Sequence, residues 1–450
     1  MEQEKNTTEN DRKDTNKTVS IFTLGCKVNQ YETQAMRELF EKKGYNVKLN
    51  NEIADIYIIN TCTVTNAGEK KSRQFIRRAK RNNPNAIIAV MGCYAQTSPR
   101  KVLSIEGVNI IIGTDNRNKI ADIIERCEPD EKINLVNDIM KVREFEEMSV
   151  KNIKGKTRAF LKIQEGCNQY CSYCIIPYAR GPVRSRGKAE IINEIKNLVN
   201  KGFKEMVLTG IHVASYGKDL DSKETLIDVL REVNDIDGLE RIRLSSLEPT
   251  LFTNEFLQGL SQLDKICRHF HLSLQSGCNA TLRRMNRRYT VEQYRDIVNR
   301  IRETYPEIAL TTDVIVGFPG ETEKEFNTTY GFVKEIGFSE IHVFRYSPRK
   351  GTPAARYKNQ IDGTTKRHRS EKLIELGEQL RKSYYTLFIG RNKEVLFETL
   401  SRRVPGYIEG HTGNYLRVLA PADDIKEGEL ALINLRELKQ DYILAEKIPQ

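Results

Sequence analysis

A strand-then-helix rhythm that runs through the chain twice constrains the fold most. The first pass covers residues 19–125. "VSIFTLGC" is followed by the amphipathic "ETQAMRELFEKKGY", and "ADIYIINTC" by the basic "EKKSRQFIRRAKRN". "AIIAVMGC" and a further helix come next, then "VNIIIG" and "NKIADIIERC". Apolar β-rich runs alternating with helical stretches predict a parallel sheet covered by helices on its faces. Residues 127–156 are charged, lack apolar periodicity and read as a linker.

The rhythm then restarts. Candidate strands are "AFLKIQEG" (159–166), "EMVLTGI" (205–211), "RIRLSSLEP" (241–249), "HFHLSLQSG" (269–277), "ALTTDVIVGFPG" (309–320) and "EIHVFRYSP" (340–348), with helical stretches between them. Six βα units, against the eight of a complete TIM barrel, predict an open, partial barrel. Residues 366–388 form a long basic helix, after which Gly- and Asn-broken runs of period two predict a small β-barrel. The expected fold class is therefore α/β, with an N-terminal parallel-sheet α/β domain (18–126), a partial (β/α)6 barrel with its trailing helix (157–388) and a small all-β barrel (389–450). A disordered lead-in, 1–17, precedes them.

Hydrophobic residues make up 39% of the 450, and no apolar run approaches the roughly 20 residues that span a bilayer. The N-terminus lacks the apolar stretch of a signal peptide. A cytoplasmic location with no membrane partner is the expectation. In a reducing compartment, the nine cysteines point to metal ligation or catalysis before disulfides. The net charge of +11, from 72 Lys and Arg against 61 Asp and Glu, suggests a polyanionic partner such as nucleic acid.

The stretch "EGCNQYCSYC" (165–174) places Cys167, Cys171 and Cys174 in a C-x3-C-x2-C array at the end of the first barrel strand. A zinc site would need a fourth ligand, and neither His nor Cys lies nearby in sequence. Three thiolates suit a [4Fe–4S] cube with one iron left open to a small molecule; a zinc or purely structural role is the alternative. A second set is Cys26, Cys62 and Cys93, each directly following an apolar strand. The carboxyl ends of parallel strands share one edge, where α/β proteins bind ligands, so three thiols there can converge. The alternative is three buried structural cysteines, as Cys127, Cys267 and Cys278 are read.

The C-x3-C-x2-C array, with Tyr173 before its last cysteine, resembles the radical S-adenosylmethionine (SAM) superfamily. That resemblance implies that the open iron takes the amino and carboxylate groups of SAM, and that one-electron cleavage yields a 5′-deoxyadenosyl radical. It also implies that Tyr173 lies beside SAM, as do Gly317 and Gly320 of "DVIVGFPGE" and Gly210 of "LTGI". Ser246, Glu248 and Gln275 stand at carboxyl ends of barrel strands, where barrel ligands sit, and are candidates to hydrogen-bond SAM or substrate.

"TLGCKVNQYET", "INTCTVTNAGEKKSRQ" and "VMGCYAQ" resemble the N-terminal domain of the methylthiotransferase family, and the likeness extends over about 19–448. It implies a second [4Fe–4S] cluster on Cys26, Cys62 and Cys93, a reducing electron donor, and a C-terminal RNA-binding TRAM barrel. "GCKVNQYE" resembles the branch acting on N6-threonylcarbamoyladenosine beside the anticodon, which implies a tRNA anticodon stem-loop as partner. An isopentenyladenosine or ribosomal-protein substrate is the alternative within the family, and a non-catalytic iron–sulfur RNA-binding protein the alternative outside it. Arg283, Arg284, Arg287 and Arg288 in "TLRRMNRRYT" are candidates to grip phosphates at the barrel mouth. So are the basic stretches "RQFIRRAKRN" and "KRHR", and in the last domain Tyr407, Tyr415 and Arg417 are candidates for bases and phosphates.

Overall fold

The computed structural model describes residues 16–48, 52–128, 130–150 and 157–448. Two compact units divide the chain, residues 1–142 with 146–150 and residues 143–145 with 151–450. Most of the expected lead-in lies outside the described residues.

The first unit holds one six-stranded sheet of β1 (Thr18–Thr23), β2 (Asn46–Lys48), β3 (Ile56–Thr61), β4 (Ile87–Gly92), β5 (Ile110–Ile112) and β6 (Ile133–Leu135). Its order is β2-β1-β3-β4-β5-β6 and every pairing is parallel. Every residue of β3 and β4 is buried, as expected of central strands covered on both faces. The helix Asn66–Asn82 buries only Ser72, Ile76 and Ala79, and Thr65 caps it by accepting from the Gly68 N–H at 3.1 Å. Its arginines and lysines therefore ride on the outer face.

The charged stretch 127–156 departs from the expected linker. Residues 133–135 are β6, and Glu146 returns to the fully buried Arg117. Arg117 lies between Glu32 and Glu146, at 2.5 and 2.7 Å. A guanidinium buried this completely needs carboxylates from both sides, and a sequence window shows neither partner.

The second unit opens with β7 (Arg158–Glu165), β8 (Arg184–Ser185), β9 (Glu205–Gly210) and β10 (Arg241–Leu244), ordered β10-β9-β7-β8. β11 (His269–His271), β12 (Ala309–Val316) and β13 (Glu340–Arg345) follow. Isolated parallel bridges Ile242↔Ile266 and Leu247↔Leu272 join the two sets. Six parallel strands thus curve in the order β7-β9-β10-β11-β12-β13, the open barrel expected. The run 269–277 forms strand only over its first three residues; further on, Gln275 takes a left-handed φ of +65°.

Helix Gly363–Thr386 lies directly on β13. A Cβ at Gly377 would meet Ile341 Cγ1 at 2.5 Å, so only glycine admits this approach. The chain ends in a closed barrel of β14 (Asn392–Leu400), β15 (Tyr407–Thr412), β16 (Arg417–Pro421), β17 (Leu430–Leu438) and β18 (Ile443–Lys447), ordered β14-β15-β16-β18-β17. No helix among the described residues is long and apolar enough to cross a membrane.

The small barrel closes the amino-terminal end of the large one. Arg243 of β10 grips Glu205 of β9 at 2.7 Å and donates to the Gly413 carbonyl at 3.2 Å. Arg241 donates to Glu394 Oε1 at 2.8 Å and the His411 carbonyl at 3.0 Å. Tyr415 is stacked between His269 and His411, with ring centroids 4.7 and 4.8 Å away, under the Arg243 guanidinium. Tyr415, a candidate for bases in the sequence, is thus a plug between the barrels, its ring held by His269, His411 and Arg243.

Candidate functional site

In the first unit, the strand order reverses between β1 and β3, with β2 outside β1 and β4 outside β3. That reversal opens a crevice at the carboxyl ends of the strands. Cys26 follows β1, Cys62 follows β3 and Cys93 follows β4. The register sets Thr61 opposite Gly92, so Cys62 and Cys93 leave the sheet side by side. A Cβ at Gly25, whose φ is +114°, would stand 3.1 Å from Cys62 Cβ; the turn carrying Cys26 therefore presses against Cys62. Asn29 ties these ends together, donating to the Leu24 carbonyl at 2.6 Å and the Thr61 carbonyl at 3.1 Å. Cys26 is exposed, Cys62 half-buried and Cys93 buried. The three thiols thus line one edge from surface to floor.

In the second unit, the cysteine loop leaves β7 and is fastened from three sides. Cys167 N donates to the Gly181 carbonyl at 3.0 Å, Ser172 N to Met285 O at 3.0 Å, and Ala354 N to Ser172 O at 2.8 Å. Gly166 admits the loop, because a Cβ there would lie 1.8 Å from the Pro182 carbonyl oxygen. Burial, reinforced by the charge of Cys171, pushes the Cys167 thiol up to about 11 and the Cys174 thiol up to about 12. The thiols are desolvated and feel one another, so a metal held here must displace their protons.

Arg287 is the charged group of this site. Its Nη1 donates to Cys171 Sγ at 3.4 Å, and its Nη2 donates to the two Glu248 oxygens at 2.7 and 2.8 Å. His212 Nε2 lies 3.6 Å from the same carboxylate. Burial pushes Glu248 up, but the His212 contact and the Arg287 charge outweigh it and hold the carboxyl below its ordinary value. Tyr289, its hydroxyl donating to the Ser273 and Leu274 carbonyls at 2.7 Å, lies under the Arg287 guanidinium.

Tyr173 packs edge-on to Phe318 with centroids 6.5 Å apart, in a cluster with Met285, Tyr346 and Ile315. Gly317 and Gly320 have φ of +68° and +75°, so the "GFPGE" turn needs both glycines. Glu321 closes that turn by accepting from Gly317 N at 2.7 Å and is itself gripped by Arg369 at 2.7 Å. Gly210 ends β9, where a Cβ would stand 3.0 Å from Gln164. The main chain of Gln275 pairs with β12 through Asp313 O and Ile315 N. Ser246 is exposed, unlike its neighbours Leu247 and Glu248.

The arginine run divides. Arg283 and Arg288 are exposed. Arg284 makes a two-pronged pair with Glu325 at 2.9 and 2.8 Å. Arg287, expected at the RNA-facing mouth, points inward because Asn286, at φ +58°, reverses the chain after the helix Asn279–Arg284. Arg417 pairs with Glu409 and Asp441 at 3.0 and 2.9 Å, and Tyr407 is half-buried. Sequence reasoning passed over Asn29, His212 and Glu321, and it counted Arg369, in "KRHR", among the phosphate-gripping cations, whereas Arg369 is buried against Glu321. Only the acidic end of "GFPGE" offered a signal.

The fold and the three-thiol loop define a radical SAM enzyme. The pattern of the radical SAM superfamily matches residues 161–333, and that of "Uncharacterized protein family UPF0004" residues 18–113. Threonylcarbamoyladenosine tRNA methylthiotransferase MtaB of Bacillus subtilis is 46% identical over 429 residues, covering 94% of each chain. The protein of the same name from Aquifex aeolicus is 40% identical, over 89% of this chain and 99% of its own. A tRNA-2-methylthio-N(6)-dimethylallyladenosine synthase of Clostridium botulinum is 37% identical, over 93% and 94%. In fold, the radical SAM methyltransferase TsrM of Kitasatospora setae superposes with a TM-score of 0.55 at 16% identity, covering 76% of this chain and 77% of that one. The chain belongs to the radical SAM methylthiotransferase family, in its MtaB branch.

Proposed function

We propose that this protein converts N6-threonylcarbamoyladenosine, on the 3′ side of the tRNA anticodon, to its 2-methylthio derivative. The observation that carries this reading is the gradient of identity, 46% and 40% to relatives named for threonylcarbamoyladenosine against 37% to one named for dimethylallyladenosine.

Cys167, Cys171 and Cys174 would hold the radical SAM [4Fe–4S] cluster; three sulfur donors from one desolvated loop fit a cube that keeps one iron for SAM. Cys26, Cys62 and Cys93 fit a second such cluster at the crevice of the first unit. When bound, the first cluster supplies the electron that cleaves SAM, and hydrogen abstraction from adenine C2 opens a position that acid–base chemistry leaves inert. The chain's own part is to hold and shield. Arg287 places a fixed positive charge against Cys171, and Glu248 keeps its fork from swinging away. Tyr173, Phe318 and Tyr346 form an apolar wall that excludes water beside the loop. The glycine turn 317–320, locked by Glu321 and Arg369, brings bare backbone to the same end of the barrel. Gly210, Ser246 and Gln275 are the strand-end positions assigned to SAM or substrate. Arg283 and Arg288 are the exposed cations assigned to tRNA phosphates. A reducing electron donor completes the partners.

The test is mass spectrometry of nucleosides from tRNA of cells lacking the protein. Loss of 2-methylthio-N6-threonylcarbamoyladenosine with build-up of its precursor is the expected result. Loss of the isopentenyl analogue instead would move the enzyme to the other branch.

A further inference from the structure

The inner wall of the large barrel carries a second cluster of ligand-type side chains. Along β12, alternate residues Thr311, Asp313 and Ile315 share one face, and Ile315 packs into the apolar wall with Tyr173. Asp313 therefore faces the barrel interior, one pleat below that wall. The register places His342 of β13 opposite Asp313, and His271 of β11 stands 3.4 Å from Asp313 Oδ2 through Nε2. One ligand atom from each of the three lies within 4.8 Å of the others. The two imidazole rings stack with centroids 5.9 Å apart and planes inclined by 21°.

The hydrogen bonding of His271 leaves a gap at this point. Its Nδ1 is 3.0 Å from Thr311 Oγ1, whereas its Nε2 is buried without a hydrogen-bond partner. Thr311 Oγ1 also lies 3.2 Å from His269 Nε2, so its hydroxyl can donate to that ring and accept from His271 Nδ1–H. In that tautomer Nε2 turns a lone pair toward the Asp313 carboxylate, a repulsion that a cation between them removes. Among the described residues no Lys or Arg forms an ion pair with Asp313; its ion-pair contact is His271. Two imidazoles and one carboxylate make a three-ligand set that leaves coordination positions open, the arrangement of 2-His-1-carboxylate sites.

We propose that His271, Asp313 and His342 bind a divalent transition-metal cation whose open positions take the carboxylate of the substrate's N6 arm. The inference rests on the threonylcarbamoyl reading, because that arm ends in a carboxylate and an isopentenyl arm carries no charge. Asp313 contributes one negative charge and the cation two positive ones. The site is therefore net positive, and an anionic arm is drawn down the barrel wall past Ile315.

The experiment titrates Mn2+ into chelator-washed holoenzyme, following loss of the free-ion electron paramagnetic resonance signal. Stoichiometric binding is expected, weakened at least tenfold in both Asp313→Asn and His342→Gln. His342 is exposed, so its variant should fold even if the other does not; iron content and thermal unfolding check both. Mn2+ should also tighten binding of an anticodon stem-loop bearing threonylcarbamoyladenosine about tenfold, or ~1.4 kcal/mol, without affecting the isopentenyl stem-loop. Absence of Mn2+ binding, or binding indifferent to both substitutions, overturns the site. An equal response of the two stem-loops overturns the carboxylate assignment. Protein that binds no Mn2+ yet methylthiolates threonylcarbamoyladenosine defeats this inference and leaves the proposed function standing. Mn2+ binding with product only on isopentenyladenosine does the reverse.

Discussion

Arg287→Met retains most of the side chain's length and removes its charge from the centre of the site. Glu248, 7% exposed, would then keep only His212, 3.6 Å away. Deleting one partner of a buried ion pair costs ~3–5 kcal/mol, and the remaining imidazole contact places the expected loss near the lower figure. The same change removes the donor at 3.4 Å from Cys171 Sγ. A hydrogen bond to a charged group contributes ~1.5–3 kcal/mol. The reduced cluster carries one more negative charge than the oxidised one, so the donor stabilises it more. If about 1 kcal/mol of the bond is differential, the midpoint potential falls by about 40 mV, at 59 mV per tenfold for one electron. The assay is a redox titration read by electron paramagnetic resonance, in a Cys26→Ala, Cys62→Ala, Cys93→Ala background so that one cluster reports. Arg287→Lys, which keeps the charge but loses the fork, should restore part of the potential. A potential in Arg287→Met equal to that of the parent at matched iron content would refute the reasoning, as would a rise.

Cys171→Ala should abolish release of 5′-deoxyadenosine from SAM under reduction, whereas Cys62→Ala should preserve that release and lose the methylthio product; chromatography of both products separates the two roles. Burial pushes Glu205 up, but Arg243, Arg158 and Arg241 outweigh it and pull the carboxyl down to about 2. Relative to an unfolded value near 4.5, that depression contributes ~3 kcal/mol of stability, fully present above about pH 4.5 and lost as pH falls toward 2. Acid unfolding of Glu205→Gln should show a flatter dependence over that window, from a lower stability at neutral pH. Arg283→Ala and Arg288→Ala should each reduce the salt slope of tRNA binding by about one. Arg417→Ala should change it less, because Arg417 is already paired with Glu409 and Asp441.

The class of fold was legible because it rests on local periodicity. Apolar runs of strand length separated by amphipathic helices recur through both units, and six of them make the open barrel. The loop 165–174 was equally legible, since its three thiols fall within eight residues and their spacing alone limits what they can hold. The placing of Cys26, Cys62 and Cys93 at one sheet edge was partly so, because each ends an apolar strand, but the crevice between β1 and β3 depends on strand order, which pairing decides.

Side-chain direction was the part that sequence alone could not supply. The four arginines of 283–288 look alike in a row, yet one left-handed residue, Asn286, sends Arg287 to Cys171 and leaves Arg288 outside. Tyr415 reads as an aromatic on a small RNA-binding barrel until His269, from another domain of the chain, is found stacked on it. His271, Asp313 and His342 come from three strands and meet only through the parallel register of β11, β12 and β13. What the sequence determined by itself was therefore the pattern of elements and the chemistry of closely spaced ligands, both properties of neighbours along the chain. The charge placed against the thiols, the arginines left exposed and the His–Asp–His cluster on the barrel wall were decided by tertiary structure. Each depends on contacts between residues far apart in sequence, whose distances are fixed only when strands take their order and register.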